Sequence, residues 1–167
     1  MIHIRPALGS DNAALWRILA PVIRAGETYP LPRDWNEAQA LAYWGSPGHE
    51  VFVAEDGGDI VGTYYIRPNQ QGGGAHVANC GYMVREGATG RGVARAMCQH
   101  SLEHALSRGF RAMQFNFVIA SNTRAVRLWQ SCGFEIVARL PKVFDHPQLG
   151  LVDAFVMLLK LAPTPEP

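Results

Sequence analysis

The stretch VREGATGRGVA, residues 84–94, decides the fold, because it leads from a predicted strand directly into a predicted helix. An apolar run predicts the strand at roughly 75–84, and apolar residues at helical spacing predict the helix over about 90–108. Glycines let backbone N–H groups approach an anion, and a helix start adds partial positive charge. The loop therefore predicts a pyrophosphate site, although a glycine-rich connection without a ligand fits the loop alone equally well. It matches neither the dinucleotide fingerprint nor the P-loop pattern.

A second strand after this helix completes a predicted βαβ unit. MQFNFV (113–118) is apolar, and its strand should lie parallel to 75–84 through a right-handed crossover. The remaining predicted strands are 2–5, 51–55, 60–67, 134–140 and 152–161, with DGGD turning the second into the third and a loop over 141–150 joining the last two. The class predicted is α/β, with a mixed central sheet.

Three further helices flank this sheet in the prediction. Pro21 is expected to kink or break the first of them. Asp34, with Glu37 three residues later, resembles a capping box and predicts a short second helix. Residues 122–131 predict the third, with Trp129 facing inward. We expect a single domain over 1–161 and a disordered tail over 162–167.

Composition excludes several classes of function. A formal net charge of +1 with scattered basic residues predicts no nucleic-acid partner and no charged membrane surface. The N-terminus lacks the apolar core of a signal peptide, and no uncharged run reaches the ~20 residues of a membrane-spanning helix. Three cysteines without paired spacing are typical of free thiols. The expected location is therefore the cytoplasm.

Two amides lie inside otherwise apolar strands. Asn116 stands between two phenylalanines, and Asn79 stands in the run VANCGYMV. A buried amide without a partner costs roughly 1–3 kcal/mol, so each must find a partner or face a ligand. Parallel neighbouring strands would place both amides on one face, where they could hold a substrate. The alternative is that they bond each other or a bulged backbone.

Two motifs together resemble those of the GCN5-related N-acetyltransferase (GNAT) superfamily. VREGATGRGVA resembles its acetyl-CoA motif, and NTRAVRLWQSCGF (122–134) resembles its second motif. The resemblance covers 2–161 and implies the GNAT fold, in which antiparallel N-terminal strands and a βαβ acetyl-CoA-binding unit are flanked by helices. The acetyl-CoA-binding residues that it implies are Met83 and Val84 at the strand end, Thr89, Gly90, Arg91, Gly92, Val93 and Ala94 in the loop, and Asn122 and Trp129 in the second motif.

Two positions depart from the GNAT pattern. Thr89 replaces the usual Gln or Arg, which predicts a weaker contact to the phosphates. Trp129 replaces a tyrosine that often protonates the departing thiolate, and an indole N–H is not a practical acid. A thiolate can leave unprotonated, because the pKa of a thiol is near 8.5. These departures leave open a non-catalytic acyl-CoA-binding module.

A closer resemblance is to the yeast-type azetidine-2-carboxylate acetyltransferases. It rests on VANCGYMV, QFNFVIASN, the run LPKVFDHPQLGLVDAFVM and the early GETYPLP. It implies direct acetyl transfer, in a ternary complex, to a toxic proline analogue, with Asn79 and Asn116 in the substrate site as the catalytic pair. The alternatives are another amine: a phosphinothricin-like amino acid, a polyamine or a protein N-terminus. GNAT proteins are often dimers, so a homodimer is left open.

Further substrate-site candidates lie in two loops. Glu27 and Tyr29 belong to a loop that should cover the acceptor pocket, and His146 belongs to a turn that could reach it. Glu27 and His146 are candidate bases, although a solvated loop position is the favoured explanation for each. The run HSLEH (100–104) matches a zinc-peptidase pattern, but without a downstream ligand motif we predict no metal.

Overall fold

The computed structural model describes residues 1–161, so the predicted disordered tail at 162–167 lies outside the described residues. Their seven strands form one sheet in the order β1-β2-β3-β4-β5-β7-β6. The elements in chain order are β1 (Ile2–Pro6), α1 (Asn12–Ala25), α2 (Glu37–Trp44), β2 (Glu50–Asp56), β3 (Asp59–Pro68), β4 (Val77–Val84), α3 (Val93–Ser107), β5 (Ala112–Ile119), α4 (Thr123–Ser131), β6 (Glu135–His146) and β7 (Gly150–Lys160).

The parallel contact between β4 and β5 is short. These strands pair only through Val77 with Ala112 and Ala78 with Met113, whereas the other neighbouring pairs in the sheet are antiparallel. Beyond these two pairs the strands diverge. On its other side β5 is bulged between Phe115 and Val118, where its register against β7 shifts. The predicted α/β class with a mixed sheet is confirmed, and the divergence opens a gap in its centre.

Alternation along the strands divides the core between the two faces of the sheet. Tyr64 faces α3 and α4, and the adjacent Tyr65 faces α1 and α2. α3 packs closely because β3 carries Gly62, where a Cβ would lie 2.8 Å from a methyl carbon of Val93. On the opposite face, Trp44 is buried against the sheet. Both layers meet the central gap from opposite sides.

The C-terminal hairpin is longer than predicted. Residues 141–146, expected in a loop, continue β6, and β7 begins at Gly150. Pro141 is tolerated because β6 is an edge strand whose register against β7 shifts between Leu140 and Phe144. Buried Phe144 then packs against β5 and β7. Tertiary packing has overridden the loop-forming residues.

Two helix predictions also need correction. α1 continues through Pro21 to Ala25 without a break, because its buried apolar face, including Ile23, packs beyond the proline. α2 is capped by Asn36 and Gln39, whose side chains bond each other's backbone N–H groups, and not by the predicted pair Asp34 and Glu37.

Candidate active site

A cavity of about 460 Å³ occupies the gap between β4 and β5. Its walls come from both strands, from the start of α4 and from the loop after α1. It runs from the glycine loop before α3 towards the beginning of β4. Among the described residues that line it there is no Asp, Glu or His, and its two ionised side chains are Arg67 and Arg124.

The glycine loop forms an anion cradle at one end of this cavity. Gly87, Gly90 and Gly92 all have positive φ, at 84°, 82° and 81°, a conformation that side chains disfavour. Gly92 is the N-cap of α3, and no side chain caps the helix start. The first helical hydrogen bond runs from Ala96 N–H to Gly92 C=O at 3.0 Å. The preceding N–H groups, including that of Ala94 at the cavity wall, are therefore left for an anion.

Arg124 places a second positive charge at this cradle. Its Nη2 atom lies 3.1 Å from where a Cβ on Gly90 would be, so the guanidinium lies directly over the loop. Thr89 also lines the cavity. The side chain of Arg91 points away, because it forms an ion pair with Asp56 at the end of β2. The predicted contribution of Arg91 to the cradle is therefore limited to its backbone, and it stays a prediction.

The second predicted motif forms a further wall of the cavity. Asn122 lines the cavity and caps α4, its Oδ1 accepting from the N–H of Ala125 at 3.3 Å. Trp129 packs between Tyr82 and Phe115, with ring-centroid distances of 4.9 and 5.1 Å. The Tyr82 hydroxyl points away from the cavity to Ser101 at 2.7 Å, and burial raises its pKa well above the usual range. Tyr82 therefore cannot replace the missing acid.

One edge of β4 faces the cavity with its backbone groups. Arg85 N–H donates to Val61 C=O on β3, so by the antiparallel alternation Met83 also bonds β3. Val84 and Tyr82 then direct their backbone groups towards the gap. Of the two predicted strand-end residues, Val84 is the one whose N–H faces the gap, although both line the cavity.

Tyr29 closes the cavity from the loop after α1. Its hydroxyl donates to the C=O of Tyr82 at 2.7 Å and accepts from the N–H of the same residue at 2.8 Å. Burial raises the pKa of Tyr29, so the hydroxyl keeps its proton. The loop base is held by Arg24, which donates to the C=O groups of Arg33 and Trp35 at 2.6 and 2.7 Å. The loop after α1 therefore covers part of this cavity.

The two predicted amides both line the cavity, and each has partners within the protein. Asn79, 6% exposed, accepts from Arg67 Nε at 3.2 Å and donates to the C=O of Gln114 at 2.9 Å. Asn116 lies in the bulge of β5, donating to Asn69 Oδ1 at 2.6 Å and accepting from Gln114 Nε2 at 3.1 Å. The amides do not bond each other. Asn116 is half-buried and retains hydrogen-bonding capacity towards the cavity.

The two candidate bases, Glu27 and His146, do not line the cavity. Thr28 and Tyr29, which follow Glu27 in the same loop, do line it. His146 is buried at the end of β6, where its Nδ1 accepts from the N–H groups of Gln148 and Leu149 at 3.1 and 3.2 Å. It stabilises the turn into β7. The structure thus separates both residues from the amides with which they were grouped.

Sequence reasoning missed the two arginines at the cavity. Arg67 stands at the end of β3 and Arg124 in the first turn of α4. The signal for Arg67 was the hairpin, since β3 and β4 in register place it directly opposite Asn79. The signal for Arg124 was its position two residues after Asn122, where the first turn of α4 approaches the cradle.

The cavity also contains a thiol without nucleophilic character. Cys80 lines the wall, and burial raises its pKa to about 12. The thiolate is the nucleophilic form of cysteine, so the group stays inert near neutral pH. The histidines of HSLEH lie elsewhere: His100 contacts the Tyr64 hydroxyl and His104 contacts Glu50, both at 2.7 Å. Across residues 1–161 no three His, Cys, Asp or Glu side chains are grouped to hold a metal.

Within the part of the chain that the structure describes, no helix has the length and apolar character needed to span a bilayer.

The uncapped cradle, its overlying arginine and the adjoining gap between parallel strands fit a pyrophosphate joined to an extended arm. Coenzyme A has this shape, and the class of protein that such a site fits is the acetyl-CoA-dependent acyltransferases. The model of the Acetyltransferase (GNAT) family matches residues 14–134, more than half of the chain. The chain therefore belongs to this family of acetyltransferases. The predicted superfamily, enzyme class and co-substrate are thereby confirmed.

Two curated relatives share part of this sequence. N-acetyltransferase aca1 of Schizosaccharomyces pombe is 31% identical over 100 residues, 58% of this chain and 47% of that protein. Protein SPT10 of Saccharomyces cerevisiae is 26% identical over 101 residues, 58% of this chain and 15% of that protein. The match thus spans less than half the length of either relative. The azetidine-2-carboxylate type stays a prediction.

Solved structures match over nearly the whole chain. A GCN5-related N-acetyltransferase from Kribbella flavida is 39% identical with a TM-score of 0.90, covering 95% of this chain and 97% of its own. The yncA protein from Salmonella typhimurium, solved with its cofactor acetyl-CoA, is 23% identical with a TM-score of 0.85, covering 100% and 98%. The second likeness concerns the fold alone, and both agree with the predicted GNAT fold.

Proposed function

We propose that this enzyme transfers the acetyl group directly to the nitrogen of a small amino or imino acid, a proline analogue such as azetidine-2-carboxylate, in a ternary complex. The observation that carries the proposal is the covered end of the cavity. There the Tyr29 loop closes a pocket whose polar side chains include Asn79, Asn116 and Arg67, with no carboxylate among its described lining residues. Such a pocket suits a small acceptor with a negatively charged group.

The cradle residues are assigned to the acetyl-CoA end. Backbone N–H groups at the start of α3, including those of Val93 and Ala94, hold the pyrophosphate together with Arg124. The N–H of Val84 hydrogen-bonds the thioester oxygen and stabilises negative charge on it. Acetyl-CoA supplies an activated acetyl thioester. Asn122 and Trp129 shape the wall along its arm.

The chemistry requires a neutral amine and a leaving thiolate. Because burial raises the pKa of Cys80 to about 12, an acetyl-cysteine intermediate is disfavoured, and direct attack by the acceptor nitrogen remains. Trp129 can donate only a hydrogen bond to the sulfur. No side chain is assigned as base, since neither Glu27 nor His146 lines the cavity.

The electrostatics of the pocket distinguish the alternative acceptors. A polyamine carries several positive charges and would face Arg67 with no acid among the described lining residues to compensate them. A protein N-terminus needs an open groove for the chain behind it, whereas Tyr29 bonds across the gap to β4. A small amino or imino acid meets neither obstacle.

The test is mass-spectrometric detection of acetylated product from purified protein and acetyl-CoA. The acceptors are azetidine-2-carboxylate, proline, methionine sulfoximine, phosphinothricin and a polyamine, each with a protein-free control. Product with azetidine-2-carboxylate or proline supports the proposal. Product with only the polyamine overturns it, and saturable acetyl-CoA binding without any product favours a non-catalytic module. Mass detection avoids thiol reagents, which the three cysteines would also consume.

Asn116 permits a second test of the acceptor site. Replacing Asn116 with Ala should lower kcat/KM for the acceptor roughly tenfold through a lost hydrogen bond, with the KM for acetyl-CoA unchanged. A variant that melts earlier but keeps its acceptor kinetics would make the amide purely structural.

A further inference from the structure

The acceptor end of the cavity contains an arginine with an open hydrogen-bonding fork. We infer that Arg67 binds the carboxylate of the acceptor and that Asn79 is a positioning residue that holds its guanidinium. This inference rests on the proposed function and identifies the group by which the acceptor is recognised: a carboxylate beside the reacting nitrogen. It also changes the part played by Asn79, which acts through Arg67.

A relay across three strands fixes the orientation of Arg67. The residue lies on β3 directly opposite Asn79 on β4, and its Nε donates to Asn79 Oδ1 at 3.2 Å. Asn79 in turn donates from Nδ2 to the C=O of Gln114 on β5 at 2.9 Å. A guanidinium can only donate and a carbonyl can only accept, so the amide has one possible orientation. This chain of hydrogen bonds lies at the point where β4 and β5 separate.

The remaining nitrogens of Arg67 have no partner in the described protein. Within residues 1–161 its one hydrogen bond is that of Nε, and no carboxylate lies within ion-pair distance. Every fully buried side-chain polar atom in this part of the chain has a partner, so Nη1 and Nη2 must reach solvent. Arg67 is half-buried and lines the cavity. A planar fork of this kind matches a carboxylate with two parallel hydrogen bonds.

Distance separates this fork from the acetyl-CoA phosphates. Asn79, which holds Arg67, precedes Val84 by five residues, about 17 Å along an extended strand. Arg124 lies at the Val84 end, over Gly90. The two arginines therefore mark opposite ends of the cavity, and the anion for Arg67 must come from the second substrate. Amines without a carboxylate leave this half-buried charge unpaired.

Paired substrates test the inference. L-proline and L-prolinamide, and azetidine-2-carboxylate and its carboxamide, differ only in the anionic group, and kcat/KM is measured for each with acetyl-CoA. Replacing Arg67 with Gln should lower the acid-to-amide ratio of kcat/KM roughly tenfold or more, mainly through KM for the acid. Dividing by the wild-type ratio removes the difference in amine basicity. The KM for acetyl-CoA should stay unchanged.

Three companion variants separate recognition from folding. Arg67→Lys keeps the charge but loses the fork, so the ratio should be partly restored. Asn79→Ala should shift the ratio in the same direction as Arg67→Gln but by less, because Arg67 remains. Arg17→Gln removes an exposed charge from α1 and should match the wild type. Melting curves check that each variant is folded.

The outcomes distinguish this inference from the proposed function. If the wild type acetylates these amines but Arg67→Gln and Arg67→Lys both leave the acid-to-amide ratio unchanged, the carboxylate role of Arg67 is wrong and the function stands. If no amine is acetylated, the proposed function fails, and calorimetry with CoA-saturated protein decides the inference. Proline binding that prolinamide does not match, and that Arg67→Gln abolishes, would uphold it. Equal or absent binding would overturn it.

Discussion

The hydroxyl of Tyr29 lies between the C=O and N–H groups of Tyr82, 2.7 and 2.8 Å from them. This contact joins a loop to the free edge of the central strand β4, at the point where the sheet opens. It satisfies two backbone groups that β5 would bond in a continuous sheet. The same contact covers part of the cavity, so the divergence of the strands and the proposed size limit on the acceptor share one origin.

Replacing Tyr29 with Phe should therefore affect both stability and the acceptor. The variant loses two hydrogen bonds to half-buried groups, and its free energy of unfolding should fall by roughly 1–3 kcal/mol. KM for the acceptor should rise as the cover loosens, while acetyl-CoA affinity stays near the wild-type value. Urea unfolding and steady-state kinetics measure the two effects. The control is Tyr43→Phe. The Tyr43 hydroxyl lies 3.5 Å from that of Tyr65, so its removal should lower the free energy of unfolding by less. Equal losses in the two variants would contradict this account.

Arg124 should supply much of the phosphate affinity that Thr89 lacks. Replacing Arg124 with Gln removes the cation over Gly90 and should weaken acetyl-CoA binding roughly tenfold, with a shallower dependence on salt concentration. Isothermal titration calorimetry at two ionic strengths measures both quantities. Arg127→Gln is the matched control, because it removes an exposed charge from the same helix outside the cavity lining. Similar losses in both variants would reduce the role of Arg124 to general electrostatics.

The sequence predicted the strands and helices around the glycine loop because their signals are local. Glycines at positive φ, an uncapped helix start and apolar periodicity lie within a few residues of each other. The β6–β7 hairpin was mispredicted because its extension depends on Phe144 packing against distant strands. The cap of α2 was misassigned by two residues, since Asp34 and Asn36 are both good capping residues and only the path of the chain selects between them.

Site residues that belong to a sequence motif could be predicted, whereas the hydrogen-bond partners and orientations that depend on tertiary structure could not. Asn79 was identified as an unusual strand amide, but its bond to Arg67 depends on the register between β3 and β4. His146 looked like a loop residue that could reach the pocket, whereas the longer β6 fixes it inside a turn. Whether a side chain faces the cavity is a tertiary property, and hydrophobic patterning does not report it.

Cys80 provides a test of direct transfer. Since burial raises the pKa of its thiol to about 12, Cys80→Ala should retain most of the wild-type kcat. Intact-mass spectra of the wild type incubated with acetyl-CoA alone should contain no acetylated Cys80. A stoichiometric acetyl adduct at this residue, together with inactivity of the alanine variant, would establish a covalent intermediate instead.

A partly buried ion pair makes the N-terminal part of the fold sensitive to acid. Arg5 donates to both carboxylate oxygens of Asp11, at 2.8 and 3.1 Å, and the N–H of Leu8 adds a bond at 2.7 Å. The bonds from Arg5, followed in importance by that from Leu8, lower the pKa of Asp11 against the opposing effect of burial. A carboxyl whose pKa falls on folding adds stability above its unfolded pKa near 3.9, and that stability disappears as pH falls through the folded value.

The variant Asp11→Asn should consequently be less stable than the wild type at pH 7, and the difference should shrink at and below pH 3.9 as the wild-type carboxyl takes up its proton. Urea unfolding across a pH series measures the gap. Asp34→Asn, at an exposed position, should show no such convergence because its side chain makes no hydrogen bond among the described residues. A gap between Asp11→Asn and the wild type that stays constant from pH 7 to pH 3 would mean that the charge on Asp11 contributes nothing. In that case the gap would reflect the amide NH2 group that the variant sets against Arg5, because asparagine keeps the size of the side chain and an oxygen that can accept from Leu8 N–H.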